Sequence, residues 1–147
     1  MASAEASLIY LDANAFIYAI EPGTPWTDEL RRFFEKLHTG ERKAVTSELT
    51  LAEVLPKPLA LGATDLILAY ETLLSAESPI EVLAINRMVL HQAASLRGQS
   101  KLKLADAIHA ATALYANCTD FLSNDIRLLG LLPPRLRRRA MQDLAQL

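Results

Sequence analysis

Apolar positions along the chain alternate between two periods. Residues 8–11, LIYL, form a short apolar run that ends at DAN, the pattern of a buried strand followed by a turn. Helical spacing begins at about residue 13 and runs to 20, where Pro22, Gly23 and Pro25 interrupt it. The next helix covers DELRRFFEKLH, residues 28–38, with Thr24 or Thr27 as its expected cap. Asp28 and Glu29 sit in its first turn, where negative charge is favoured, and Leu30, Phe33, Phe34 and Leu37 give it one apolar face. KAVTS, 43–47, reads as a second strand. ELTLAEVL, 48–55, reads as a helix capped by Ser47, with Pro56 and Pro58 as a stop or kink.

A third helical stretch covers about 62–76, with Leu66, Ile67, Tyr70, Leu73 and Leu74 inward. IEVLAI, 80–85, is the next strand. Residues 86–97 return to helical spacing through Met88, Val89, Gln92 and Leu96, and Gly98 is expected to break it. KLKLADAIHAATALYA, 101–116, is alanine-rich and strongly helical. DFLS, 120–123, is a short strand, and NDIRLLG is a turn with a short helix. The tail LLPPRLRRRAMQDLAQL gives no clean final strand. Its Arg135, Arg137, Arg138 and Arg139 read as a solvated basic face, or as a basic arm toward backbone phosphates, a protein partner or a second subunit.

Alternating strands and helices predict a three-layer α/β domain with a mainly parallel central sheet flanked by helices, one domain over residues 1–147. Ligands in such sheets bind beyond the carboxyl ends of the strands. Asp12, Glu53 and Asp125 fall near such ends, and Asp106 falls near the start of the alanine-rich helix.

Composition narrows the function classes. With 51% hydrophobic and 22% charged residues the chain is expected to fold rather than stay disordered. A net charge of -2 argues against an electrostatic coat for nucleic acid. It leaves open a phosphate site bridged by metal, because bound cations invert the sign of a carboxylate cluster. One cysteine, Cys118, excludes an intramolecular disulfide and a cysteine-rich metal site. The first residues have no basic start, and Glu5 and Asp12 interrupt the apolar stretch, so no signal peptide is expected. No membrane span is expected either, and the location expected is cytoplasmic.

Each acid also has a plain structural reading. Asp12 could form an Asx-turn or cap; in a metal-site reading Asn14, two residues on, could be a donor behind the ligands. Glu48 and Glu53 stand roughly 140° apart around a helix, so they do not share a face, and Glu53 is as consistent with solvent as with the sheet edge. Asp106 could serve in a first helical turn. His109, about 60° around the same helix, reads best as a satisfied, partly buried histidine. Asp125 or Asn124 could cap a helix, and Ser123 could orient a water, a phosphate or a neighbouring carboxylate. Asp120 falls at the opposite end of its strand. If the acids cluster, their repulsion calls for a counter-charge, and oxygen donors suit magnesium or manganese.

The segments YLDANAFIY, TSELTLAEVLPKPL, KLKLADAIHAATAL and FLSND, in this order, resemble the PIN-domain family, in particular the VapC-type ribonuclease toxins of toxin–antitoxin modules. The resemblance implies that Asp12, Glu53, Asp106 and Asp125 bind Mg2+ or Mn2+ and carry catalysis. Ser123 matches the small hydroxyl position before the last aspartate, and Ser47 lies at the polar end of the second strand. It further implies an endoribonuclease that hydrolyses RNA phosphodiester bonds, a homodimer, and a small antitoxin partner. The alternatives are an RNA-processing nuclease outside a toxin system, a non-catalytic RNA- or protein-binding PIN-like domain, and a phosphatase for a small substrate in a closed pocket.

Overall fold

The computed structural model describes residues 7–147, so Glu5 lies outside the described residues. Five strands form one parallel sheet: β1 (Leu8–Leu11), β2 (Lys43–Ser47), β3 (Glu81–Leu83), β4 (Asp120–Leu122) and β5 (Arg137–Arg139). Their order is β3-β2-β1-β4-β5. The chain builds outward from β1 in one direction through β2 and β3, then in the other through β4 and β5. The carboxyl ends of β1 and β4 therefore flank the crevice where the winding reverses, the place where such sheets receive ligands.

Eight α-helices among the described residues cover the sheet: α1 (Ala13–Ile20), α2 (Thr27–His38), α3 (Leu49–Val54), α4 (Pro56–Leu61), α5 (Thr64–Leu73), α6 (Arg87–Gln99), α7 (Leu104–Tyr115) and α8 (Ile126–Leu131). A 3-10 helix, Met141–Gln146, follows β5. Strand alternation divides the core in two. Ile9, Leu11, Ala44 and Leu122 face α1, α2, α5 and the 3-10 helix. Tyr10, Val45 and Phe121 face α6, α7 and α8. This is the three-layer arrangement that the alternating pattern implies. No helix among the described residues is long and apolar enough to cross a membrane.

Several local expectations change. Neither Thr24 nor Thr27 caps α2; Thr24 Oγ1 accepts from the Trp26 amide at 3.3 Å and pairs with Thr27 Oγ1 at 3.0 Å. Pro56 opens α4 at a position where its missing N–H costs nothing, and Gly62 at φ 61° closes α4 in the left-handed region. The single stretch expected over 62–76 is therefore α5 alone, separate from α4. Gly98 does not end α6, which runs to Gln99. The buried stripe of α6 is Val89, Ala93 and Leu96, with Met88 and Gln92 turned outward.

The tail is no free arm. Arg137–Arg139 pairs in register with Asp120–Leu122 as an edge strand. Arg139 Nε donates to Asp120 Oδ2 at 2.6 Å, and Arg135 donates to Asn117 Oδ1 at 3.1 Å. Arg137 and Arg138 remain exposed. The Asp120 and Arg139 side chains are only 2% and 19% exposed, so this pair is shielded from screening. Asp120→Ala strands the guanidinium and is expected to lower the unfolding free energy by about 3 kcal/mol in urea denaturation. A loss under about 1 kcal/mol would place the pair with ordinary surface ion pairs.

Candidate acidic site at the sheet switch point

β1 delivers Asp12 directly to the crevice. Its backbone N–H reaches Leu122 O at 3.4 Å, which ties the end of β1 to the end of β4. The carboxylate caps α1 through Oδ1, which accepts from the Asn14 amide at 3.1 Å. Oδ2 accepts from the Ser123 hydroxyl. Ser123 Oγ also accepts from the Asp125 amide at 3.0 Å, so one buried hydroxyl joins two acidic turns. Asp125 then caps α8, with Oδ1 accepting from Leu128 N at 3.1 Å. The capping readings of Asp12 and Asp125 are thus correct as structure, and they fix both carboxylates at the strand ends.

Glu53 projects from α3, and its Oε1 meets Nε2 of the buried His109 on α7. Asp106 lies in the first turn of α7, three residues before His109. Its Oδ2 accepts from the Arg127 guanidinium at 3.2 Å, and the same guanidinium lies 3.9 Å from Asp125. Glu48 is exposed and stands apart, and Asp120 is at the amino end of β4, as its sequence position implies.

The electrostatics place all four acids in one field. Asp12 is 6% exposed and has no salt-bridge partner among the described residues. Burial raises its pKa to about 6, against the Ser123 hydrogen bond, the nearby His109 and the Asn14 amide that lower it, and the Glu53 charge adds to the rise. The Asp106 carboxyl is also raised, first by burial and then by the charge of Asp125, while Arg127 opposes the shift. Among the described residues, no three His, Cys, Asp or Glu side chains stand in a chelating arrangement. The internal pairing accounts for this: Glu53 is turned onto His109, and Asp106 onto Arg127.

The donor set nevertheless suits a hard divalent cation. It is made of carboxylate oxygens with a hydroxyl between them, and its most buried member, Asp12, has no salt-bridge partner among the described residues. The interlocking of His109 and Arg127 with these acids was not legible beforehand. A tyrosine in an aliphatic strand and a histidine in an alanine helix were the available signals for the first. The Asp125–Ile126–Arg127 spacing was the signal for the second. An apolar concavity of about 680 Å³, bordered by Ala19, Phe34, Leu68 and Leu73, lies elsewhere, and none of the four acids lines it.

A family model for the PIN domain matches residues 9–130. The chain belongs to the PIN-domain family. Its fold is shared with VapBC from Salmonella typhimurium bound to DNA, at 18% identity and TM-score 0.71 over 92% of this chain and 98% of that one. FitAcB from Neisseria gonorrhoeae is similar at 19% identity and TM-score 0.68, over 91% of this chain and 98% of that one. A Mycobacterium tuberculosis VapC described as a sarcin-ricin loop cleaving toxin is similar at 16% identity and TM-score 0.65, over 88% and 98% of the two chains. No curated protein matches the chain. In this PIN domain Asp12 and Asp125 stand at the ends of β1 and β4, joined through Ser123, while Glu53 pairs with His109 and Asp106 with Arg127.

The Asp12 shift has a consequence for stability. Its folded pKa of about 6 stands above the ordinary carboxyl value of 3.8. The neutral form is therefore favoured in the fold, and stability is lost as pH rises from 3.8 through 6. In chelator-treated protein, Asp12→Asn is expected to raise the unfolding free energy by about 1–3 kcal/mol at neutral pH. The gain should vanish near pH 4, where wild type is protonated too. Denaturation curves at the two pH values check this; an equal effect at both would remove the ionisation argument.

Proposed function

We propose that this PIN domain, acting as one unit over residues 1–147, is a divalent-metal-dependent endoribonuclease and the toxin of a toxin–antitoxin module. The observation that carries the reading is Asp12: a buried carboxylate with a raised pKa and no salt-bridge partner among the described residues, held by Ser123 between the ends of β1 and β4. Asp12, Glu53, Asp106 and Asp125 would hold Mg2+ or Mn2+. A cation there would stabilise charge on a transferring phosphate and lower the pKa of water that attacks phosphorus.

The chain's own residues supply the rest. Ser123 fixes the Asp12 carboxylate, His109 holds one oxygen of Glu53, and the α1 and α8 caps hold the two aspartate turns in place. Arg127 neutralises Asp106 and Asp125, and its half-exposed guanidinium would be free to meet an RNA phosphate once a cation takes over those carboxylates. RNA as substrate, an antitoxin partner and a homodimer follow the resemblance to VapC and FitAB assemblies, whose solved members include toxin–antitoxin complexes. A cytoplasmic location belongs to the same reading.

The internal pairing of Glu53 and of Asp106 favours a second reading, a PIN-like domain that binds RNA or protein without cleaving it. Cleavage separates the two. Purified protein with structured and unstructured RNAs is expected to cut internally with Mg2+ or Mn2+ and not with chelator. Asp12→Asn and Asp106→Asn should each lower the rate at least about a hundredfold. RNA retention without metal-dependent cleavage would establish the second reading, and equal cleavage by both variants would overturn the assignment of these acids.

A further inference from the structure

His109 is 2% exposed, and its ring bridges three elements. Nδ1 lies 2.5 Å from the Tyr10 hydroxyl on β1, and Nε2 meets Glu53 Oε1 on α3. Tyr10 is fully buried. It stacks on Phe121 with ring centroids 4.9 Å apart and meets the His109 ring edge-on at 5.7 Å. Its neighbours therefore hold the phenol in one orientation, aimed at one ring nitrogen.

The proton positions follow from the partners. A phenol, with an ordinary pKa of about 10, carries its proton and can donate it. A phenol donating to Nδ1 makes that nitrogen an acceptor. The ring proton then resides on Nε2, the nitrogen that faces the carboxylate. The opposite tautomer would set the Nε2 lone pair against Glu53 and leave a buried contact repulsive. With Oε1 occupied, Oε2 of Glu53 has no hydrogen-bond partner among the described residues, and the side chain is one-third exposed.

We infer that Tyr10 and His109 form a buried positioning relay for Glu53, in which Tyr10 sets the His109 tautomer and His109 holds Glu53 with one oxygen committed and the other turned out for a divalent cation. The inference rests on the metal-site reading of Glu53. His109 touches neither substrate nor cation; it acts through Glu53. Outer-shell partners of this kind tune affinity by about tenfold to a hundredfold.

The test joins a spectroscopic readout to a binding readout on the full chain. 15N NMR of the His109 ring in metal-free wild type should show an unprotonated Nδ1 and a protonated Nε2. A proton on Nδ1 would overturn the relay. Mn2+ titration followed by electron paramagnetic resonance should show binding weakened roughly tenfold to a hundredfold in His109→Leu. His109→Gln, whose amide restores a donor toward Glu53, should recover most of the affinity. Tyr10→Phe keeps the ring on Phe121 and removes only the hydroxyl; it should lose the single tautomer and weaken Mn2+ binding. It also decides the matter if His109→Leu fails to fold. Wild-type affinity in both His109→Leu and Tyr10→Phe, with Asp12→Asn still abolishing binding, would sink the relay alone. Absence of Mn2+ binding in wild type, with the tautomer as expected, would sink the metal-site reading and the relay's function with it.

Discussion

A buried carboxylate, Asp12, with no salt-bridge partner among the described residues is the constraint around which this molecule is arranged. Asp12 could be replaced by a neutral cap and α1 would still start at the same place, since a side-chain amide oxygen also accepts from the Asn14 amide. An ionised group in that position works against folding. The structure limits the cost with a Ser123 hydroxyl and a backbone amide, but neither carries charge. The unbalanced field extends to Glu53, and the related crowding of Asp106 and Asp125 is only partly offset by Arg127. Local stability is given up at the one point where the parallel sheet opens, which is the expected compromise at a functional site.

The sheet order converts four separated sequence positions into that field. β1 and β4 are neighbours despite the long stretch of chain between them, so Asp12 and Asp125 arrive on adjacent strand ends with Ser123 bonded to both turns. α3 follows β2 and brings Glu53 onto His109, while α7 carries Asp106 and His109 on one helical face. The small side chains of Ala107, Ala110 and Ala111 let α7 lie close to the sheet. Helix caps, usually a sufficient account of an aspartate at a helix start, here also act as rigid mounts.

Much of this was legible because it is local. LIYL and KAVTS read as strands, and Leu30, Phe33 and Leu37 read as one face of α2, because their period survives in the fold. The acids were legible through motif order rather than through spacing, which left each of them a cap or a surface charge. What escaped was nonlocal or masked. Ala93 carries little hydrophobic signal, so the α6 stripe was assigned to Met88 and Gln92 instead. Gly98 suggested a break, yet an exposed glycine late in a helix costs only about 1 kcal/mol against alanine and is tolerated. Three consecutive arginines hid β5, whose place depends on Asp120 across the sheet and whose charge suits an edge strand. The Tyr10–His109–Glu53 chain joins residues far apart in sequence, which no periodicity reveals.

The central claim is that the uncompensated charge at Asp12 recruits a divalent cation to the crevice between β1 and β4. Anomalous X-ray diffraction from crystals grown with Mn2+ measures this directly. The account predicts a manganese peak at bonding distance, about 2.0–2.2 Å, from an Asp12 carboxylate oxygen, with a Glu53, Asp106 or Asp125 oxygen completing its shell. A peak confined to other surface carboxylates, or none at the crevice with Arg127 still bound to Asp106, would contradict it.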